Sequence, residues 1–159
     1  MMGELTPTEI EQVLQGEVVG RIGCTHGGRP YVVPVTYAYD GEAVYCHSAV
    51  GWKVRSMRED PEVCFEVEHV ESMSDWRSVI AWGRYEELHG PAAMEGMGVL
   101  LSRMMPLMVD EANQPAHGMG GPPHGMGGEG HARDVAGQEA VIYRIHLHTK
   151  TGRFERRPS

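Results

Sequence analysis

The sequence predicts a mainly β fold: a six-stranded antiparallel barrel with peripheral helices. Three observations carry that expectation. Short β-branched and aromatic runs recur from Val18 to Leu88 and return after Glu139. Between them lie turn clusters such as His26-Gly27-Gly28-Arg29-Pro30 and Asp40-Gly41, which join consecutive strands as hairpins. Helical periodicity is confined to the edges of this series, which favours a barrel over a doubly wound sheet. A chain of 159 residues suits a single domain, residues 1–159, around one core.

The elements follow in order. Thr6-Pro7-Thr8-Glu9 is a capping box with proline at the first helical position, and Ile10, Val13 and Leu14 share one face of a short helix ending at Gly16. "VVGRIGCT" and "YVVPVTYAY" are strands, and Pro34 in the second implies an edge position or another place where the missing N–H is not needed. "AVYCH" follows the Asp40-Gly41 turn. "GWKVRSMRED" then forms a helix with Val54 and Met57 inward and Pro61 beyond its end. In "EVCFEVEHV" Val63, Phe65 and Val67 alternate with polar neighbours, and "WRSVIAWGRYEEL" is a long strand bent at Gly83. From Pro91 to Met105 the period is helical, with Ala93, Met97, Leu100, Leu101 and Met104 recurring as core filler. "EAVIYRIHLHTKTGRFER" reads as a strand, a turn at Thr149–Gly152 and a short tail.

Composition narrows the function. The net charge of −8 and pI near 5.5 exclude a general nucleic-acid binder, which shows a basic face. The N-terminus lacks the basic-then-apolar pattern of a secretory signal, and no apolar run is expected to span a membrane. Cys24, Cys46 and Cys64 lie in apolar strands without metal-type spacing, as buried thiols do. A cytoplasmic protein without a membrane partner is expected.

Against this acidic background, "VYCHSAVGWKVRSM" gathers His47, Ser48, Gly51, Lys53 and Arg55 where a strand gives way to a helix. Free N–H groups of the first helical turn, a hydroxyl and an ammonium there suit a phosphate, and Gly51 allows close backbone approach. Arg55, two residues beyond Lys53, is expected to point elsewhere. The alternative is that Ser48 caps the helix and the basic residues decorate its solvated face; local chemistry leaves both open.

The ordered set "PYVVPVTYAYDGEAVYCHSAVGWKVRSMREDPEVCFEVE", then "WRSVIAWGRYEEL" and "VIYRIHLHTKTG", resembles the flavin-binding split-barrel family of pyridoxamine 5′-phosphate oxidase relatives, and in particular its Nim-type nitroimidazole-resistance branch. The resemblance implies a split β-barrel of FMN-binding type, with the backbone at Val35, Thr36 and Tyr37 along the flavin ring. It implies an FMN phosphate held by His47, Ser48, Gly51 and Lys53, and Ser78 near ring or phosphate. Where the family has Gly-Arg-Lys, this chain has Gly51-Trp52-Lys53; Trp52 cannot replace an arginine fork and either stacks on a ring or packs. Arg77 could supply the missing charge, but alternation lets only one of Arg77 and Ser78 face the site. The C-terminal tryptophan and arginine segment that completes vitamin B6 binding is absent after Trp82, which argues against that substrate.

The implied activity is an FMN-dependent oxidoreductase, with His47 as ligand contact or proton donor, acting on a nitroaromatic or similar small-molecule acceptor. The implied partners are a second copy in a homodimer and either NAD(P)H or a partner reductase. Haem is the alternative cofactor, because some split-barrel relatives bind or degrade it and nine histidines offer axial ligands. A non-catalytic flavin or metal binder is the third reading.

Residues 109–137 form a Gly/His/Met-rich insert, expected to be flexible, in which His117, His124 and His131 recur every seven residues with Met119 and Met126 between. Imidazole and thioether suit copper, but such density of glycine and proline forms a loop without needing a ligand. No metal is assigned. His146 and His148, on one strand face, could join such a site or face solvent.

Overall fold

The computed structural model describes residues 1–113 and 139–158. Among them the order is β1 (Met2–Glu4), α1 (Pro7–Gly16), β2 (Val19–His26), β3 (Arg29–Thr36), β4 (Ala38–Tyr39), β5 (Ala43–Ala49), α2 (Trp52–Glu59), β6 (Glu62–Ser72), β7 (Asp75–Leu88), α3 (Gly90–Asn113) and β8 (Ala140–Glu155). The strands form one sheet in the order β3-β2-β6-β7-β8-β5-β4, with β1 against β8, and every ladder is antiparallel. The mainly β expectation therefore holds. The six expected long strands are joined by two short ones, β1 and β4.

Local chemistry explains the elements that position the rest. Thr6 accepts from the Glu9 N–H at 3.2 Å and Glu9 Oε1 accepts from the Thr6 N–H at 3.2 Å, so the capping box starts α1 as read. Asp40 Oδ1 accepts from the Glu42 and Ala43 N–H groups, both at 2.8 Å, and so locks the turn into β5. Pro34 sits on β3, an edge of the sheet. Ile22, Phe65, Val67, Val79 and Ile145 point inward and are fully buried, and Val54 and Met57 of α2 close the same core.

Two expectations about the chain's bends fare differently. The ladder between β7 and β8 shifts register at Trp82/Gly83, and a Cβ on Gly83 would stand 2.4 Å from the His146 carbonyl oxygen. The bend is a bulge that only glycine fits. The turn at Thr149–Gly152 is not there: β8 runs unbroken through it, pairing Lys150 with Ala81 and Gly152 with Val79. A Cβ on Gly152 would lie 2.8 Å from Leu5 and 2.9 Å from Ile10, so this glycine makes room for α1 and the segment before it.

Helix α3 extends past Met105 to Asn113. It buries Leu100 beside Leu88 and Tyr45 while Leu101 stays exposed. The expectation that no run could span a membrane is corrected on length and composition alone, since Gly90–Asp110 gives 21 residues of mean hydropathy 1.2. Interspersed glycine, Glu95 and Arg103 hide that run in the sequence. The heptad of His117, His124 and His131 lies outside the described residues.

Candidate functional site

The sheet ends at β3 on one side and at β4–β5 on the other, and these ends meet in the chain at Tyr37. Strand β4 pairs only Ala38 with Tyr45 and Tyr39 with Val44. Beyond that, residues from Cys46 to Ala49 have a ladder toward β8 alone, and β3 has one toward β2 alone. Two open strand edges thus diverge from the bend at Tyr37, their outer N–H and C=O groups unclaimed by a ladder among the described residues. Such groups are open to water or to a bound partner.

At the far end of β5 the chain turns into α2. Gly51 is the N-cap, and no side chain hydrogen-bonds the first turn. The Ser48 hydroxyl instead donates to the Ala49 carbonyl at 3.1 Å. Helix capping by Ser48 is therefore not what this junction does. Gly51 has φ −121° and ψ −158°, extended backbone open to any residue, and a Cβ there would meet nothing within 4 Å. Neither turn geometry nor crowding calls for glycine. What remains is empty space over uncapped N–H groups.

The two cations of the junction are placed differently. Lys53 is half-buried and close enough to act on the Cys46 thiol, which burial pushes up to about 12 while the Tyr143 hydroxyl and the Lys53 ammonium pull it down. Arg55, expected to turn away, lines a recess of about 500 Å³ with Val50, Gly51 and Glu139. The α-helical spacing from Gly51 to Arg55 puts the two on one side, a signal the sequence offered. Below Ser48, Tyr143 is fully buried. Its hydroxyl faces Cys46 and Ser48 without a hydrogen bond of good geometry to either among the described residues. No pattern in the sequence announced it.

His47, Ser48, Gly51 and Lys53 are therefore consecutive parts of one junction, with His47 exposed. The remaining expected residues are distributed otherwise. Val35 is buried, whereas Thr36 is exposed at the open edge of β3. Tyr37 belongs to the core: its hydroxyl donates to the Leu14 carbonyl at 2.7 Å, its N–H donates to Val18 at 3.0 Å, and its ring meets Phe65 edge-on. Only its carbonyl is left for a ligand. Ser78 shares the outer sheet face with Ile80 and Trp82, and Arg77 lies on the opposite face, as alternation requires. Ser78 and the junction are thus not brought together within one chain. Trp52 is the expected departure: it lies 4.7 Å from His26, nearly parallel at 10°.

Comparison with known proteins now decides the family. A family model described as pyridoxamine 5′-phosphate oxidase matches residues 6–117. The chain belongs to this family. An uncharacterized protein of Rhizobium meliloti is 38% identical over 80 residues, 50% of this chain and 53% of that protein, so the chain spans about half the length of the curated relative it matches. Among solved structures, an FAD-binding protein of Mesorhizobium loti is 28% identical with a TM-score of 0.69, covering 97% of this chain and 98% of that one. A proposed 5-nitroimidazole antibiotic resistance protein of Bacteroides thetaiotaomicron is 16% identical with a TM-score of 0.65, covering 97% and 87%. An FAD and haem binding protein of Mycobacterium smegmatis, at 12% identity and a TM-score of 0.68, covers 97% and 73%. The last two share the fold. Membership of the pyridoxamine 5′-phosphate oxidase family and the split-barrel class both agree with the sequence resemblance.

Proposed function

We propose that this chain binds a flavin between the open edges of β3 and β5, with its phosphate at the start of α2, and acts as a flavin-dependent oxidoreductase on a small acceptor. The observation that carries the reading is Gly51: a glycine the fold does not need, beneath open space, at an uncapped helix start that shares a recess with Arg55 and is followed by Lys53 two residues on. The buried Tyr143 hydroxyl, set between Cys46 and Ser48, adds a loosely held polar group at the same junction. FMN is the smallest flavin that such a phosphate seat requires. A bound flavin supplies transfer of a hydride or of single electrons.

The chain's own residues then divide the work. The α2 N–H groups, Ser48, Lys53 and Arg55 hold the phosphate, while the backbone of Val35 to Tyr37 supports the ring. His47, exposed at the open end of β5, gives a proton to the acceptor in this reading. A nitroaromatic acceptor follows from the sequence resemblance, and electrons come from a nicotinamide or a partner reductase. A homodimer completes the reading. Val19, Val32, Ile80 and Trp82 are exposed on the outer sheet face that also carries Ser78, so a second copy seated there brings Ser78 to a shared site.

Denaturing the purified protein and weighing the released small molecule tests the cofactor. A flavin is expected; haem, with its red colour and Soret band, overturns the reading. Lys53→Ala is expected to weaken flavin binding at least about tenfold through loss of a charge-assisted hydrogen bond, and undiminished affinity removes the phosphate seat. A stable monomer in sedimentation at low concentration removes the dimer.

A further inference from the structure

Trp52 is 60% exposed, unusual for so large an apolar side chain beside a ligand-sized recess. It is held in place nonetheless. One face stacks on His26 with centroids 4.7 Å apart, and Tyr31 meets it edge-on at 6.4 Å. His26 is fixed in turn, its Nδ1 2.8 Å from the Ser56 hydroxyl, which donates to the Trp52 carbonyl at 2.6 Å. The indole is thus a rigid plane, preorganised by α2 and the β2–β3 hairpin rather than buried by them.

Its position relative to the proposed flavin site is set by the chain. Trp52 directly follows Gly51. Along β3, Tyr31 lies four residues from Val35, a strand distance of about 13 Å. The aromatic plane at Trp52, His26 and Tyr31 therefore lies along β3 from the proposed ring site at Val35 and Thr36, beside the proposed phosphate seat at Gly51. A mononucleotide ends at the phosphate. A dinucleotide continues through a second phosphate to a purine, for which an aromatic plane is the outstanding partner; Trp52 stands one helical turn from Arg55 of the phosphate seat on α2 and offers it.

We infer that Trp52, backed by His26, is a stacking platform for the adenine of a flavin dinucleotide, so that this chain selects FAD over FMN. The inference rests on the flavin reading above and assigns to Trp52 a role where the expected arginine is missing. Base-on-aromatic stacking contributes about 1–3 kcal/mol per base, roughly a five- to hundredfold gain in affinity.

The test is a pair of titrations, FAD and FMN, into flavin-free full-length protein, followed by tryptophan and flavin fluorescence. Wild type is expected to bind FAD at least about tenfold more tightly than FMN. Trp52→Ala should bring FAD affinity down to that for FMN while FMN affinity stays within about twofold, and Trp52→Phe should keep most of the preference. Thermal melts establish that each variant is folded. Equal binding of FAD and FMN by wild type overturns this inference and leaves the flavin reading standing, as does a Trp52→Ala loss equal for both ligands. Failure of both flavins to bind overturns the flavin reading and this inference with it.

Discussion

Strands β2, β6, β7 and β8 form the closed half of the barrel, and β3, β5 and α2 form its open seam. In the closed half each central strand has a partner on both sides, and inward positions such as Ile22, Phe65, Val67 and Val79 are fully buried. Every inward-facing residue named there is answered by another residue. At the seam the same kinds of group go unanswered: two bare strand edges, a helix start without a side-chain cap, a glycine in open space and a tryptophan in solvent. The contrast teaches how to separate residues kept for folding from residues kept for a ligand. Unmet needs that cluster in one place point outside the chain.

The sharpest way to test this division is to damage each half in turn. Phe65 is fully buried, edge-on to Tyr37 at 4.9 Å, and presses on Gly20. Phe65→Ala should lose about 3–5 kcal/mol of stability, a large share of the roughly 5–15 kcal/mol typical of a domain, seen as a lower urea midpoint. A loss below about 1 kcal/mol would show the closed half to be loosely packed and the comparison misdrawn. At the seam the balance should reverse. Gly51→Ala places a methyl in open space on extended backbone, so stability should move by less than about 1 kcal/mol. Flavin affinity should drop at least about tenfold as the methyl lifts the phosphate from the α2 N–H groups. Unaltered affinity would mean that the space over Gly51 is not where the ligand sits.

The same division explains what could be read from the sequence. The closed half was legible because local signals and tertiary demands agree there: the Thr6 capping box, the Asp40 turn, and the alternation of Val63, Phe65 and Val67 each specify one arrangement. Pro34 announced an edge because a missing donor is tolerated only there. The false turn at Thr149–Gly152 came from judging a glycine by local propensity, when Gly152 answers to Leu5 and Ile10, far away in sequence. At the site, the residue types at the junction were visible, since a basic cluster stands out in an acidic chain. Orientation was not. Whether Ser48 caps, whether Arg55 turns inward and whether Tyr37 belongs to core or cleft depend on where α2 begins and where β3 breaks, and element ends are poorly specified by local sequence. Tyr143 could not be found at all, because its hydroxyl is buried only after the whole barrel has closed around it.

The smallest expected effect lies at the rim of the closed half, where α1 gives way to β2. His69 Nδ1 is 2.6 Å from Glu17 Oε1 and its Nε2 is 2.8 Å from Glu71 Oε1. The hydrogen bond to Glu71, then that to Glu17, raises its pKa above the ordinary 6.5. A histidine raised in the folded state stabilises the fold fully below its unfolded value, near 6.5, and loses that contribution as pH rises through the higher folded value. The imidazole is solvent-accessible, so screening holds the gain below about 1 kcal/mol. Wild type should therefore lose about 2–4 °C at most in Tm, relative to His69→Gln, between pH 5.5 and pH 8. Flavin affinity should not follow, because His69 is remote in the sheet from the β5–α2 junction. Parallel Tm profiles for the two proteins would show that these two carboxylates hold no proton on His69. A flavin affinity that tracked the titration would be the more damaging result, since it would tie the closed half to the seam and blur the line between what folds this protein and what it binds.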